Sequence, residues 1–384
     1  MLLTGTGRLA PIGLSPWAIL VEDGRIAWLG SRDEAPAAER VDLGDALVTP
    51  GLVDSHTHPV FAGDRSDEAA ARLEGAPYTE GGILRTVRAT RDADDATLER
   101  LVESRLRAAL AAGTTTVECK SGYGLTLDEE LRHLRLLERV AARLPIRIVR
   151  TFLGAHAVPP DAASASDHAA DVADRMIPMV AAAGLADFVD VFSDAGFFDL
   201  VATERIGRAA TDAGLGLRLH AEQLARTGAA ELGVRLGAAS VDHLEQLDDG
   251  GIAALAGSET VATLLPAPAI VLRDHLPPAR ALLDSGARVA LASDANAGTY
   301  SGFGTMPLVI GLGATLLHMT VNEALAAATA GGADALRRPD LGRLEVGAAA
   351  DLVAWDAAHE GAFALRLGAV RPLRTWIRGE EVEL

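Results

Sequence analysis

Cysteine is almost absent from this chain of 384 residues, and basic residues are in a minority. Cys119 is the only cysteine, which excludes an internal disulfide and predicts a reducing, cytoplasmic location. The 53 acidic residues outnumber the 35 basic ones, and the formal charge is −18. A charge of that sign repels phosphate backbones and anionic membrane surfaces, so we expect no nucleic-acid partner and no membrane partner.

Aromatic residues and uninterrupted apolar runs are scarce as well. Aromatics make up 4% of the chain and apolar residues 49%, which predicts a soluble enzyme with an aliphatic core. The N-terminus lacks the basic start and sustained apolar run of a secretory signal. The segment 302–322 carries no formal charge over a length that would cross a bilayer, but Pro307, His318 and Asn322 interrupt it. We interpret this segment as a loop followed by a buried helix.

Strand-like and helical segments alternate through the middle of the chain. Amphipathic segments such as 97–113 and 127–144 carry apolar residues at three- and four-residue spacings, as helices that cover a barrel do. The repetition predicts an α/β fold with a closed, TIM-type (β/α)8 barrel. An open doubly wound sheet is the alternative, although no GxGxxG motif follows an early strand. The eight predicted strands are 46–58, 114–121, 146–156, 186–194, 215–223, 238–246, 259–267 and 287–296.

The two ends of the chain differ from its middle. Residues 1–48 contain short alternating runs with a turn predicted at Glu22-Asp23-Gly24, and residues 341–384 contain similar runs. Short strands at both termini can pair with one another. We therefore predict a small β-sandwich domain built from 1–48 and 341–384, with the barrel domain formed by 49–340.

Several predicted strands end in residues that bind metals. The C-terminal ends of the strands build the active site of a parallel barrel. His56 and His58 lie two apart on the first strand, so their side chains point to the same face. His220 ends the fifth strand and Asp294 follows the eighth, where an unpaired carboxylate would be costly to bury. Three imidazoles and one carboxylate suit Zn²⁺ or Fe²⁺ and leave a position for water. Taken alone, the HxH pair is a weak signal that surface or capping histidines also produce, and His220 alone is more typical of a core histidine.

This ligand set predicts hydrolysis by water that a metal activates. A bound divalent metal lowers the pKa of water to about 7. Asp294 can then accept a proton and pass it to a leaving nitrogen. His243, in the motif SVDHLEQ, can stabilise the developing oxyanion, and the alternative is a structural histidine bonded to a neighbouring loop.

Seven motifs follow one another in order along the predicted barrel. They are HTHPVFAGDR (56–65), ECKSGYGL (118–125), TFLGAH (151–156), DFVDVF (187–192), LHAEQL (219–224), DHLEQL (242–247) and SDANAGT (293–299). Together with the flanking strands, they resemble the amidohydrolase superfamily and, within it, the imidazolonepropionase family. The resemblance implies the hydrolysis of a cyclic amide, 4-imidazolone-5-propanoate, to N-formimidoyl-L-glutamate in histidine degradation.

The resemblance also implies roles for individual residues, and a homodimer. Arg65 is suited to the carboxylate of a propionate-bearing substrate, because its guanidinium binds carboxylates bidentately. A solvated Arg65, a packed Tyr123 and a core His156 are the alternatives to substrate contacts. The implied ligands of one Zn²⁺ or Fe ion (Fe²⁺ or Fe³⁺) are His56, His58, His220 and Asp294. The implied substrate contacts are Arg65, Tyr123, His156, Gln223, Asn296, Gly298 and Thr299.

The chain departs from the family pattern at three places. Gln223 stands where some members carry an acid, so Glu222 or Asp294 takes the proton, or the position only binds substrate. SDANAGT lacks a proline, and Ser193-Asp194 replaces a Cys-Glu pair. Lys120 lies on the second strand, where a carboxylated lysine that bridges two metals is not expected, so we interpret it as structural or as a charge near the pocket and predict one metal. The competing functions are a deaminase of guanine- or cytosine-like rings and a non-catalytic scaffold.

Overall fold

The computed structural model describes residues 1–75 and 80–383. Strands and helices alternate through the middle of this part of the chain, as the sequence predicts. The strands are β1 (Leu2–Gly5), β2 (Trp17–Glu22), β3 (Arg25–Ser31), β4 (Arg40–Asp42), β5 (Leu47–Pro50), β6 (Leu52–Asp54), β7 (Thr114–Lys120), β8 (Arg147–Ala155), β9 (Phe188–Ser193), β10 (Gly216–Ala221), β11 (Ser240–His243), β12 (Val261–Leu264), β13 (Val289–Leu291), β14 (Leu352–Trp355), β15 (Pro372–Ile377) and β16 (Glu380–Val382).

Strands β6 to β13 form one parallel sheet of eight strands, in chain order. The two outer strands meet just beyond their ends. There the backbone N–H of His58 donates to the carbonyl of Ala295 (2.9 Å), and the N–H of Asp294 donates to the carbonyl of His56 (3.0 Å). These bonds join the sheet into a barrel, which confirms the predicted fold. The seam of the barrel therefore lies at three of the predicted metal ligands.

The first predicted strand, 46–58, was wrong as a single barrel strand. It divides at Gly51, so that β5 pairs antiparallel with β14 and β6 pairs parallel with β7. A Cβ atom at Gly51 would lie 2.1 Å from Oγ1 of Thr115. Only glycine fits where the chain crosses this closely over β7, and the crossing carries the chain from one sheet into the other.

Both termini contribute to two small sheets, as predicted. One sheet has the strand order β3-β2-β1-β4 and the other β16-β15-β14-β5. Buried side chains from both sheets, among them Trp17, Ile19, Leu352 and Trp376, pack into one hydrophobic cluster. The structure thus contains the predicted β-sandwich. The exact division at 48/49 and 340/341 stays a prediction, and β5 extends to Pro50.

Helices α1 to α11 lie between the barrel strands, and helices α12 to α15 follow the last of them. Apolar side chains of the helices pack against the barrel in one large core cluster. The predicted helix 97–113 is α3, which begins after the N-cap Asp94, whose side chain accepts from the N–H of Thr97. It ends before Gly113, which has a φ of 88°. The helices are α1 (Ser66–Leu73), α2 (Glu80–Asp92), α3 (Asp95–Ala111), α4 (Leu127–Ala141), α5 (Ala165–Asp171), α6 (Ile177–Ala182), α7 (Leu200–Asp212), α8 (Ala229–Arg235), α9 (Asp249–Leu255), α10 (Pro266–Leu272), α11 (Ala279–Asp284), α12 (Met306–Thr315), α13 (Val321–Ala326), α14 (Gly332–Ala335) and α15 (Ala362–Leu365).

The uncharged segment 302–322 contains a loop and then α12, in agreement with its interpretation from the sequence. Most of α12 is buried, including Val309 and Ile310. Across residues 1–75 and 80–383, no helix combines the length and the apolar character needed to cross a membrane.

Candidate metal centre

Three imidazoles and one carboxylate meet at the C-terminal mouth of the barrel. Nε2 of His58 lies 3.2 Å from Nε2 of His56 and 3.3 Å from Nε2 of His220. Oδ1 of Asp294 lies 3.6 Å from Nε2 of His56 and 3.5 Å from Nε2 of His58. The barrel therefore brings together the four residues that the sequence predicts as ligands.

The spacing of these atoms fits a single metal ion. Ligand atoms about 2.0–2.1 Å from Zn²⁺ at tetrahedral angles lie about 3.4 Å from one another. Four of the six separations within the cluster, at 3.2–3.6 Å, match that edge length. His56, His58 and Asp294 also form one of the buried clusters whose ligand atoms lie close enough to share an ion.

Two buried carboxylates orient the imidazoles from behind. Nδ1 of His56 lies 2.7 Å from Oδ2 of Asp242, and Nδ1 of His220 lies 3.0 Å from Oδ1 of Asp190. Each carboxylate accepts a hydrogen bond from the Nδ1–H group, so that Nε2 carries the lone pair that a metal binds. Lys120 in turn contacts Asp190 at 2.7 Å with no exposed surface.

The surroundings keep two of the histidines neutral. Burial, followed by the charge of Lys120, holds the pKa of His56 well below its usual range. Burial, followed by the nearby ring of His156, has the same effect on the pKa of His58. Neutral imidazole is the form that coordinates metals, so the histidines are ready to bind an ion at neutral pH.

His243 differs from these histidines in charge. Burial lowers its pKa, but the carboxylates of Glu245 and Asp294 outweigh that effect and raise the pKa to about 9. Nδ1 of His243 lies 3.4 Å from Oε1 of Glu245, while its Nε2 lies 4.0 Å from Oδ2 of Asp294. Burial raises the pKa of Asp294. A cationic imidazole therefore stands beside the carboxylate at the edge of the ligand cluster.

A cavity of about 330 Å³, which includes open solvent, lies in front of the cluster. Its lining includes six of the predicted substrate contacts, together with Ile83 and Phe192, which the sequence analysis did not select. Phe192 ends a motif that was recognised, whereas Ile83 lies on α2, which carried no signal. The six predicted residues are Arg65, Tyr123, His156, Gln223, Asn296 and Thr299.

The guanidinium of Arg65 is held by its own neighbourhood. Glu68 accepts from Nε (2.9 Å) and Nη2 (2.6 Å) of Arg65, so one bidentate edge of the guanidinium faces this carboxylate. A Cβ at Gly298 would lie 2.1 Å from Nη1 of Arg65. Gly298 therefore backs the arginine instead of lining the catalytic cavity.

The loop after β13 is organised by the side chain of Asn296. Its Oδ1 accepts from the N–H groups of Gly298 (2.7 Å) and Thr299 (2.8 Å). Its Nδ2 donates to the carbonyl of Asp294 and to Oγ1 of Thr299, both at 2.7 Å. These four bonds hold the loop in the absence of the proline that the family pattern led us to look for.

Glu222 is not brought to the cavity. Its Oε1 accepts from Arg226 (2.6 Å) and from the N–H of Gly228 (2.9 Å). The residue has a φ of 55°, which breaks the strand alternation after Ala221 and turns the carboxylate away from the metal ligands. Asp194, one of the departures from the family pattern, instead accepts from the N–H groups of Gln223 and Leu224 and fixes the adjacent loop.

Comparisons with known proteins show which family this chain belongs to. The sequence profile of the amidohydrolase family matches residues 47–382. The imidazolonepropionase of Mycolicibacterium smegmatis is 49% identical over 361 residues, which cover 93% of this chain and 89% of that protein. The imidazolonepropionase of Salinispora tropica is 50% identical over 356 residues, 91% and 88% of the two chains. The chain belongs to the imidazolonepropionase family.

Among solved structures, a 5-methylcytosine deaminase from Klebsiella pneumoniae liganded with 5-fluorocytosine shares the fold of this imidazolonepropionase-family chain. The TM-score is 0.82 at 16% identity, with coverage of 100% of this chain and 97% of that one. Membership in the family confirms the resemblance carried by the motifs. Together with the buried His/Asp cluster, it supports a divalent metal at the mouth of the barrel.

The carboxylates behind the ligands were missed in the sequence of this imidazolonepropionase-family chain. Asp190 and Asp242 stand inside the recognised motifs DFVDVF and DHLEQL, but no role was assigned to either. Each lies within a buried barrel strand, Asp190 three residues and Asp242 one residue before the strand ends. An acidic residue at an inward position of a buried strand was the available signal.

Proposed function

We propose that this chain hydrolyses 4-imidazolone-5-propanoate to N-formimidoyl-L-glutamate with one Zn²⁺ or Fe ion held by His56, His58, His220 and Asp294. The observation that carries the proposal is the convergence of these four groups, in which His58 lies 3.2–3.5 Å from each of the other three, beside a cavity that Arg65 lines. The substrate is supported by relatives named imidazolonepropionase at 49% and 50% identity.

The donor set supports one metal of borderline hardness. Imidazole and carboxylate ligands suit zinc and iron alike. Lys120 is committed to Glu118 and Asp190, each at 2.7 Å, which argues against its use as a bridge between two metals. When bound, the ion supplies hydroxide at neutral pH.

The residues around the cluster suit the opening of a cyclic amide. Water adds to the ring carbonyl carbon, the adjacent ring C–N bond breaks, and the proton lost by water ends on the departing nitrogen. Asp294 carries that proton, because its carboxylate lies at the ligand cluster and faces the cavity. The cationic His243 donates to the carbonyl oxygen as negative charge develops there. Glu222, directed at Arg226, takes no part.

The remaining cavity residues bind the substrate in this proposal. Arg65 supplies positive charge for the propionate carboxylate. Tyr123 and His156, whose ring centroids lie 5.1 Å apart, pack against the imidazolone ring. Gln223, Asn296 and Thr299 complete the wall of the cavity, and Gly298 shapes it from behind by leaving room for Arg65.

A direct assay tests the proposal. Metal-replete protein is given imidazolonepropionate, generated in place from urocanate because the compound is unstable, and formation of formimidoylglutamate is followed. Guanine and cytosine are offered in parallel, and release of ammonia is measured. Turnover of a neutral ring without turnover of imidazolonepropionate would replace the substrate assignment by a deaminase.

Four further expectations stay predictions: a homodimer, a cytoplasmic location, and the lack of nucleic-acid and membrane partners. Size-exclusion chromatography with light scattering tests the first of these. A particle with twice the mass of the 39.8 kDa chain is the expected result.

A further inference from the structure

The side chains that line the catalytic cavity are almost entirely buried. Each residue that lines it exposes at most 7% of its surface. A substrate that arrives from water must therefore pass close to these side chains before it reaches the predicted metal ligands. The surface next to the cavity therefore indicates where a substrate enters.

A second and larger cleft adjoins the cavity. It encloses about 1100 Å³ that includes open solvent, and we call it the outer cleft. Arg65 and Thr299 line both spaces, so these two side chains form a shared wall. The outer cleft is thus one side chain away from the catalytic cavity.

Arg105 lines the outer cleft without a carboxylate partner in the described residues, 1–75 and 80–383. Its Nη1 donates to the carbonyls of Pro59 and Phe61, both at 2.7 Å, and its guanidinium carbon lies 3.5 Å from the centroid of the Phe61 ring. Burial lowers the pKa of Arg105 to about 10, so the group keeps its charge at neutral pH.

An arginine in this position is more costly than one on an open surface. Carbonyl dipoles and the face of an aromatic ring offset part of the cost of removing its charge from water. They do not neutralise the charge. An anion that enters the outer cleft would do so, and it would form the charge-assisted hydrogen bonds that guanidinium groups favour.

The rest of the lining is compatible with an anion. Arg72 contributes a second guanidinium, and its Nη1 contacts Glu68 at 2.7 Å. Asp64 is the one acid among the described lining residues, and its Oδ1 already accepts from the N–H of Ser66 at 2.8 Å. Hydroxyl groups are contributed by Ser66, Ser104, Thr299, Tyr300 and Ser301.

We propose that the outer cleft is a binding site for a small carboxylate, in which Arg105 holds the substrate's carboxylate before it passes Arg65 into the catalytic cavity. The inference rests on the proposed function for the identity of the anion. A local cluster of arginines matters here because the chain as a whole carries a charge of −18, which repels an anionic substrate. The outer cleft offers such a substrate an attractive approach.

Kinetics of Arg105→Gln test the approach step. We expect kcat/KM to fall about tenfold at low ionic strength, the deficit to shrink as salt is added, and kcat to change much less. Arg107→Gln is the matched control. Arg107 lies on the same helix α3 with a side chain that is 58% exposed, and its substitution removes the same charge. Arg105→Lys, which keeps the charge, should recover most of the loss.

Chemical modification tests binding without relying on turnover. Phenylglyoxal, which reacts with arginine guanidinium groups, is applied to the wild-type protein with and without glutarate, and mass spectrometry of peptides measures the modification of each arginine. Glutarate should slow modification of Arg105 severalfold and leave Arg107 unchanged. Because this readout uses no substrate, it remains valid if the wild-type chain fails to turn over imidazolonepropionate.

Two results would overturn the proposal. One is equal modification of Arg105 with and without glutarate. The other is a loss of kcat/KM in Arg105→Gln that does not depend on salt and that either equals the loss in Arg107→Gln or is not recovered in Arg105→Lys. Arg105 would then act only by holding the carbonyls of Pro59 and Phe61. Either result leaves wild-type turnover, and with it the proposed function, untouched.

Discussion

Nδ1 of His56 lies 2.7 Å from Oδ2 of Asp242, and neither side chain is exposed. Arg218 donates to the same carboxylate oxygen (3.0 Å) and to the carbonyl of Ser55 (2.7 Å), the residue before His56. One guanidinium therefore fixes both the carboxylate that orients the imidazole and the backbone that carries it. The tautomer of His56 is set before any metal arrives.

Replacement of Asp242 by asparagine should weaken metal binding. The amide is uncharged, so it accepts a weaker hydrogen bond from Nδ1–H of His56, and the basicity of Nε2 falls. We expect affinity for Zn²⁺ to fall about 10- to 100-fold. Competition with a chromophoric chelator measures the dissociation constant. Asp249→Asn, at an exposed position on α9, is the control, and an equal dissociation constant for Asp242→Asn and wild type would contradict this role.

Arg65→Ala should raise KM for imidazolonepropionate much more than it lowers kcat. A charge-assisted hydrogen bond contributes about 1.5–3 kcal/mol, so an increase of about 10- to 150-fold is expected. Steady-state kinetics with metal-replete protein provide the measurement. Arg85→Ala serves as the control, because the Arg85 side chain is 46% exposed and pairs with Asp67 at the surface. An unchanged KM would show that the substrate carboxylate binds elsewhere.

Removal of the metal should destabilise the protein as well as inactivate it. Without an ion, Nε2 of His58 lies 3.2 Å from Nε2 of His56 and 3.3 Å from Nε2 of His220, so unshared lone pairs are crowded together. A ligand present at about 1,000 times its dissociation constant stabilises the native state by about 4 kcal/mol. Chelation should therefore lower Tm, and added Zn²⁺ should restore it. Less than about 0.1 equivalent of tightly held metal in fresh protein would instead favour a non-catalytic scaffold.

The barrel and the meeting of the four predicted metal ligands were predictable because both depend on local pattern. Alternating helical and strand-like runs identify a parallel barrel, and residues at strand ends must then meet at its mouth. The pattern of strand ends was enough to select His56, His58, His220 and Asp294. The imidazoles adjoin the ends of β6 and β10, and Asp294 follows β13, at the positions that the sequence indicated.

Other features depend on backbone detail that the sequence does not display. Glu222 follows β10 directly, and strand alternation would have placed it near the metal ligands. Its positive φ reverses that alternation and directs the carboxylate to Arg226. The pairing of Lys120 with Asp190 depends on which strands are neighbours and on their register, and β7 and β9 are separated by β8.

The buried His133 on α4 should make stability depend on pH. It has no exposed surface, and neither ring nitrogen has a hydrogen-bond partner within the described part of the chain. Burial, assisted by the charge of Arg132, lowers its pKa from 6.5 to about 3. Between these values the unfolded chain binds a proton that the folded chain does not bind. The free energy of unfolding therefore falls as the pH drops below 6.5.

His133→Leu removes this proton uptake and keeps an apolar side chain of similar size in the core. One pKa unit corresponds to about 1.4 kcal/mol, so between about pH 6.5 and pH 5 the variant should lose about 2 kcal/mol less stability than the wild type. Urea unfolding at the two pH values measures the difference. His275→Gln, whose side chain is 80% exposed, should follow the wild type. If His133→Leu lost as much stability as the wild type between the two pH values, the His133 ring would have to be protonated in the folded protein. Glu129, which lies 3.9 Å from Nε2 of His133, would then be the group that stabilises the charge.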